Sequence, residues 1–242
     1  MINENQIKDV TGEETVYLLD AFSPAVASLE KELTHFNVQT RLFEDIETGL
    51  QEIKKSPPDL LMLDPNQIGT GDFEIIQVLK SLEELKHVPF LISSDMVPRG
   101  GVVRSLEFGG DDFLSKPVKI GEAVSRIRGL LRRKKMIDCR QKEDLISVGI
   151  IEINMNDCEI KSNGQLTKLT FTEALLLKEL AKKPGCVISR QKLLQSVWPA
   201  DKIIEDQNLD VHISSIRKKI EENPRRPEII LTIRGVGFKL NV

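Results

Sequence analysis

No apolar run in this chain approaches the roughly 20 residues that a membrane-spanning helix requires, so no membrane span is expected. The first residues, "MINENQIKD", lack a basic head followed by an apolar stretch, so no secretory leader is expected either. Cysteine is scarce. Cys139, Cys158 and Cys186 share no metal-like spacing, and an odd count argues against a disulfide framework. Internal repeats and low-complexity segments are missing as well, and aromatic residues make up only 5% of the chain. What remains is an ordinary composition, 40% hydrophobic and 29% charged, over 242 residues. That length is enough for two modest domains, each with its own core. The expectation is a cytoplasmic protein with incidental thiols.

A net charge of −3 conceals an asymmetry. Residues 145–242 hold 15 Lys and Arg against 12 Asp and Glu, a net of +3. The remaining residues hold 19 against 25, a net of −6. The second part is therefore the better candidate for a polyanionic partner.

The chain changes pattern near residue 145. From 15 to about 135, short apolar runs ("TVYLL", "VQTRLF", "DLLMLD", "PFLIS", "DFLS") alternate with helical stretches. The helical stretches are "SPAVASLEKEL", "DIETGLQEIKK", "FEIIQVLKSLEEL", "RGGVVRSLEF" and "IGEAVSRIRGLLRR". Five strands alternating with five helices imply an α/β domain, a parallel sheet covered on both faces. The charged stretch "RRKKMIDCRQKED" reads as a linker. Beyond it, β-like pieces precede three helical stretches and two further β pieces, an α+β pattern. Thr170 and Glu173 fit a capping box opening the helix "FTEALLLKELAKK", and Ser189 fits the N-cap of "RQKLLQSVW".

Ligands of open parallel sheets bind beyond the carboxyl ends of the strands. Asp20, Asp64, Ser94 and Lys116 all fall at such ends. A single polar residue there is usually where the chain meets water. Four on successive strands could hold a cation and a phosphoryl group together. In the second part, "NLDVHISSIRKKI" places Leu209, Ile213, Ile216 and Ile220 on one helical stripe. The opposite side carries Gln207, Val211, Ser214, Ser215 and Lys218, with Asp210 and Arg217 on one edge and Asn208, His212 and Lys219 on the other. Hydroxyls and Gln suit base edges, Val a thymine methyl, and Lys, Arg and His phosphates. A solvated surface helix accounts for most of these residues equally well.

"DLLMLD", "PFLISS" and "GGDDFLSKPV" resemble the third, fourth and fifth strands of a response-regulator receiver domain. "LTFTEALLLKELAKKPGCVISRQKLLQSVW", "NLDVHISSIRKKI" and "LTIRGVGFKL" resemble the winged-helix DNA-binding domain of OmpR/PhoB regulators. The resemblance implies an N-terminal extension (1–14), a receiver (15–135), a linker (136–146) and a winged helix-turn-helix domain (147–242). It implies sheet order 2-1-3-4-5, Asp64 as phosphoacceptor, and Asp20, Asp64 and Asn66 as magnesium ligands. Ser94, Phe113 and Lys116 would be the switch and phosphate-contacting residues, with a cis bond at Lys116-Pro117. It also implies homodimerisation through Glu107, Asp111, Asp112, Glu122, Arg126 and Arg133. On double-stranded DNA, Gln207, Val211, His212, Ser214, Ser215, Arg217 and Lys218 would serve the groove helix, and Thr232 and Arg234 the wing. "PADKIIED" would be the loop that meets RNA polymerase, and a sensor histidine kinase would be the phosphate donor.

Two departures weaken this picture. Ala21 stands where receivers usually place a second metal-binding acid, and a methyl offers magnesium no ligand. Affinity for the metal should fall by about 10–100-fold or more, scaling from outer-shell losses. Ser214 and Ser215 stand where relatives often carry arginine, so a modest monomer affinity for DNA is expected, with paired half-sites. The expectation is a DNA-binding regulator whose receiver controls dimerisation, with or without phosphate. A conventional phosphorylation-activated regulator is the alternative. An Asp64-dependent phosphohydrolase would want an acid at position 66, where Asn66 stands.

Overall fold

The computed structural model describes residues 14–66, 73–95, 101–138, 145–162, 164–198 and 206–241. In the first domain, β1 (Glu14–Leu19), β2 (Val38–Phe43), β3 (Leu60–Leu63), β4 (Phe90–Ser94) and β5 (Asp112–Ser115) form one parallel sheet. Its order is β2-β1-β3-β4-β5, as the resemblance implied. The alternation of β1 explains the layering. Val16 and Leu18 join Leu29, Leu33, Ile127 and Leu130 in one core, whereas Tyr17 and Leu19 join Ile53, Ile76 and Phe90 in the other. Helices α1 (Pro24–Thr34) and α5 (Ile120–Asp138) cover the first face; α2 (Ile46–Lys55) and α3 (Glu74–Lys80) cover the second. Helix α4 is Gly101–Glu107.

Two helix ends differ from the sequence reading. The expected single helix over 73–85 is α3 followed by a 3-10 turn at Glu83–Leu85. The Ser81 hydroxyl bonds back to the Val78 carbonyl at 2.7 Å, and Leu82 is extended, which ends the α ladder. Helix α5 continues past residue 135 to Asp138, so the basic stretch begins as helix rather than as linker. The Lys116-Pro117 bond is cis.

The second domain opens with an antiparallel sheet, β6 (Leu145–Val148), β7 (Ile151–Asn154), β8 (Glu159–Ser162) and β9 (Gln165–Lys168). Then follow α6 (Phe171–Ala181), β10 (Val187–Ser189), α7 (Arg190–Val197), α8 (Asp206–Ile220), and the strands β11 (Ile230–Ile233) and β12 (Gly237–Leu240). The Thr170–Glu173 capping box and the Ser189 cap both form. Strand β10 has no counterpart in the sequence reading; three residues carry too little periodicity to mark it. It pairs with β12 beside the β11–β12 hairpin, the wing. Gly237 permits that pairing, because a Cβ there would lie 2.0 Å from the Ile188 carbonyl oxygen. At the wing turn, Gly235 has φ +72°.

Candidate functional site

The rim of the parallel sheet brings together the four residues expected there. Lys116 Nζ lies 2.9 Å from Asp20 Oδ1 and 2.6 Å from Asp64 Oδ2, so one ammonium bridges both carboxylates. Asp64 is 1% exposed. Its other oxygen accepts the Asn66 amide N–H at 2.8 Å. The Asn66 side chain donates to Ser94 Oγ and Asp95 Oδ1, both at 3.1 Å. Phe113 is buried in the core with Phe90 and Ile92. Burial raises the Asp20 carboxyl above its ordinary pKa, and its bond and proximity to Lys116 offset this only in part. Burial works against the Lys116 ammonium too, but its bonds to Asp64 and Asp20 outweigh that and hold its pKa up. The pocket therefore disfavours additional unpaired negative charge.

Magnesium does not fit this donor set. Both carboxylates are engaged by an ammonium, and the Ala21 side chain offers no oxygen. Among the described residues no group of three or more His, Cys, Asp or Glu could hold a metal ion. Residues 67–72 lie outside the described residues.

The second arrangement is one that sequence reasoning did not anticipate: the two domains are docked. Helix α4 packs along α8, and Asp111, just before β5, meets the start of α6. Thr172 N donates to Asp111 Oδ1 at 2.9 Å, and Thr172 Oγ1 donates to the Asp111 carbonyl at 3.1 Å. A receiver aspartate thus sits at the N-terminus of α6, where free amides and the helix dipole favour an anion. Asp111 is itself held by Lys80 and the Phe90 amide. Burial opposes its charge, yet Lys80 and the two amides hold its pKa below the usual carboxylate value. Arg133 Nη1 donates to the Val197 carbonyl at 3.0 Å, and its guanidinium carbon lies 5.6 Å from the Trp198 ring centroid. Lys218 pairs with Glu107 at 2.6 Å, and Lys86 with Asp157 at 3.1 Å.

Three of the six residues expected at a dimer interface, Glu107, Asp111 and Arg133, therefore touch the chain's own second domain. The other three pair among themselves: Arg126 with Asp112 and with Glu122, both at 2.8 Å. Glu107, Asp111 and Arg133 cannot serve a second receiver while they hold α8, α6 and the end of α7.

Several groove-helix expectations are corrected. Ser214 and Lys218 are exposed and Val211 is half-buried. His212 and Ser215 are buried. Ser215 Oγ donates to Glu173 Oε1 at 2.6 Å, and Lys219 Nζ reaches Glu173 Oε2 at 2.6 Å. Glu173 is wholly buried, and it closes the α6 capping box while gripping α8. At about 100° per residue His212 lies only about 70° from the centre of the apolar stripe, a signal of burial legible in the sequence. Ser215 lies about 130° from it, and only the reach of Glu173 buries it. Arg217 turns to the wing, donating to the Ile230 carbonyl at 3.0 Å and to Thr232 Oγ1 at 2.8 Å. It braces α8 against β11, and Thr232 is its partner. Arg234 is exposed at the wing turn. The Gln207 side chain and the loop 199–205 lie outside the described residues.

A receiver-type α/β domain joined to a winged helix defines a two-domain regulator. Residues 164–240 match the family model described as "Transcriptional regulatory protein, C terminal". The chain is 33% identical over 214 residues to the transcriptional regulatory protein AfsQ1 of Streptomyces coelicolor, covering 88% of this chain and 92% of the relative. It is 32% identical over 200 residues to the DNA-binding response regulator MtrA of Mycobacterium tuberculosis, covering 83% and 85%. A mutant of RitR has the same fold, with a TM-score of 0.74 at 23% identity, covering 94% of this chain and 98% of that one. DrrB of Thermotoga maritima, an OmpR/PhoB homologue, gives 0.50 at 23% identity, covering 96% and 100%. The chain belongs to the OmpR/PhoB-type response regulators, DNA-binding transcriptional regulators of two-component systems.

Proposed function

We propose that this regulator is held off DNA by its own receiver, and that release does not require metal-assisted phosphorylation of Asp64. The observation that carries the first half is the docking of α4 along α8, with Lys218 neutralised by Glu107. A phosphate-contacting lysine paired to a carboxylate is withdrawn from the phosphate backbone, so duplex DNA and the receiver compete for one helix. The second half is supported by the Lys116 bridge between Asp20 and Asp64 together with Ala21. The ammonium supplies the counter-charge that a divalent cation supplies in a three-acid pocket. Once released, α8 and the wing, led by Ser214, Val211, Lys218 and Arg234, read a half-site. Glu107, Asp111, Asp112, Glu122, Arg126 and Arg133 become available to a second copy at a paired site. The loop at 199–206 meets RNA polymerase, and the protein acts in the cytoplasm, not as an enzyme.

Incubation with acetyl phosphate and magnesium, followed by intact mass, tests the reading. Little or no phosphoryl mass is expected on the wild-type chain, and Ala21→Asp is expected to gain it at Asp64. Prompt stoichiometric modification of the wild type, lost on Asp64→Ala and accompanied by tighter DNA binding, would establish the conventional phosphorylation switch instead. That second reading draws on Asp64, Ser94 and Lys116 sharing one rim.

A further inference from the structure

A crevice of about 240 Å³ opens between the two domains. Its receiver wall is the end of α3, Lys86 and the C-terminus of α4; its other wall is the β7–β8 turn, the end of β9 and α8. Phe108 contributes apolar surface from the receiver, and Cys158 and Leu169 contribute it from the second domain. Those last two are tied together, the Leu169 amide donating to the Cys158 carbonyl at 2.7 Å. Because each wall belongs to a different domain, the crevice exists only while the domains are docked.

Cations outnumber anions around it. Lys80, Lys86, Lys168 and Lys219 line the space together with two carboxylates, Glu107 and Asp157. Most of this charge is already matched. Lys80 is held by Asp111, Lys86 by Asp157 and Lys219 by Glu173, while Glu107 is held by Lys218. One cation is left over: Lys168 is exposed and forms no ion pair among the described residues. Lys219 gives a single N–H to Glu173 among the described residues, so its ammonium has two more to offer. One surplus positive charge and spare N–H donors beside apolar walls suit a single anionic head on a small apolar body. The volume falls below the roughly 300–1,000 Å³ of drug-sized pockets, which limits that body to about one ring.

We propose that this crevice binds a small aromatic carboxylate, held at its head by Lys168 and Lys219, and that the bound ligand locks the docked form. Among the described residues no hydrophobic cluster spans the two domains. The contacts that join them at Asp111, Arg133, Glu107 and Lys86 are polar. Docking therefore lacks the apolar burial that fixes a domain core, and a ligand can set its population. A ligand that binds only the docked form multiplies the docked-to-open ratio by about tenfold at ten times its dissociation constant. The regulatory half of this inference rests on the proposed competition between receiver and DNA; the binding half does not.

The test uses phenylacetate as probe, with saturation-transfer NMR on the full chain beside Lys168→Glu. Saturable binding in the millimolar range is expected for so small a ligand, and the variant should bind about tenfold more weakly. With phenylacetate at ten times its dissociation constant, the apparent dissociation constant for duplex DNA should rise about tenfold in the wild type and about twofold in the variant. Fluorescence anisotropy at ionic strength matched with sodium chloride measures it. A chain compact by small-angle scattering that shows no saturable binding up to about 20 mM, or a folded variant that binds equally well, would overturn the site. Binding lost in the variant with no change in DNA affinity would keep the site and overturn the autoinhibition. A chain already extended without ligand would remove both.

Discussion

Arg133→Ala separates docking from the folding of either domain. The Arg133 side chain is 1% exposed and lies where α5 meets the end of α7. Truncation removes a charged hydrogen bond and leaves the Val197 carbonyl without that donor, at about 1–3 kcal/mol. It also removes the guanidinium from the Trp198 ring, about 0.5–2 kcal/mol. Because replacement also relieves the desolvation of a buried guanidinium, about 2–3 kcal/mol is a fair net loss to the docked state. That corresponds to a docked-to-open ratio lower by about 30- to 150-fold. If binding to DNA requires the open form, the apparent dissociation constant carries the docked population as a factor, and affinity should rise by up to that amount. The rise saturates once the open form dominates. Fluorescence anisotropy with a duplex of random sequence, at one fixed salt concentration, measures it. Thermal melting checks that both domains remain folded. A folded variant whose affinity stays within about twofold of wild type, with unchanged scattering dimensions, would refute a docked form that competes with DNA.

Two further outcomes are expected. Glu173→Ala should destabilise the second domain by about 3 kcal/mol, because it opens the α6 cap and leaves the buried Ser215 hydroxyl and the half-buried Lys219 ammonium without that partner. Urea unfolding followed by far-UV circular dichroism measures it, and Glu173→Gln should lose less. Burial pushes the Cys158 thiol up to about 12, whereas Cys186 is exposed. At pH 8 iodoacetamide should therefore modify Cys186 while Cys158 stays unmodified until the domain unfolds, as peptide mapping would show.

The elements that bury one regular face were legible in the chain. The five strands of the first domain are apolar runs, and the order 2-1-3-4-5 was implied by the resemblance of "DLLMLD" and "GGDDFLSKPV" to receiver strands. The caps at Thr170 and Ser189 are local hydrogen bonds over three residues, so they could be read locally. The short strand β10 and the early end of α3 were not legible. One is fixed by pairing with β12, the other by a single serine and an extended Leu82.

Among functional residues, sequence placed Asp20, Asp64, Ser94 and Lys116 on one rim because strand ends in a parallel sheet share an edge. It also marked Ala21 as a missing ligand, since a side chain's lack of oxygen needs no coordinates. It could not show that Lys116 spans both carboxylates, which depends on ångström distances between separate strands. Nor could periodicity reveal that Ser215 turns to Glu173, that Arg217 braces the wing, or that Glu107, Asp111 and Arg133 meet α8, α6 and the end of α7 of the chain's own second domain. Periodicity reports which side of an element is apolar, and local motifs report how an element starts and stops. Which polar side chain meets which, and which surface of one domain lies over another, is decided by packing between residues as many as 111 positions apart.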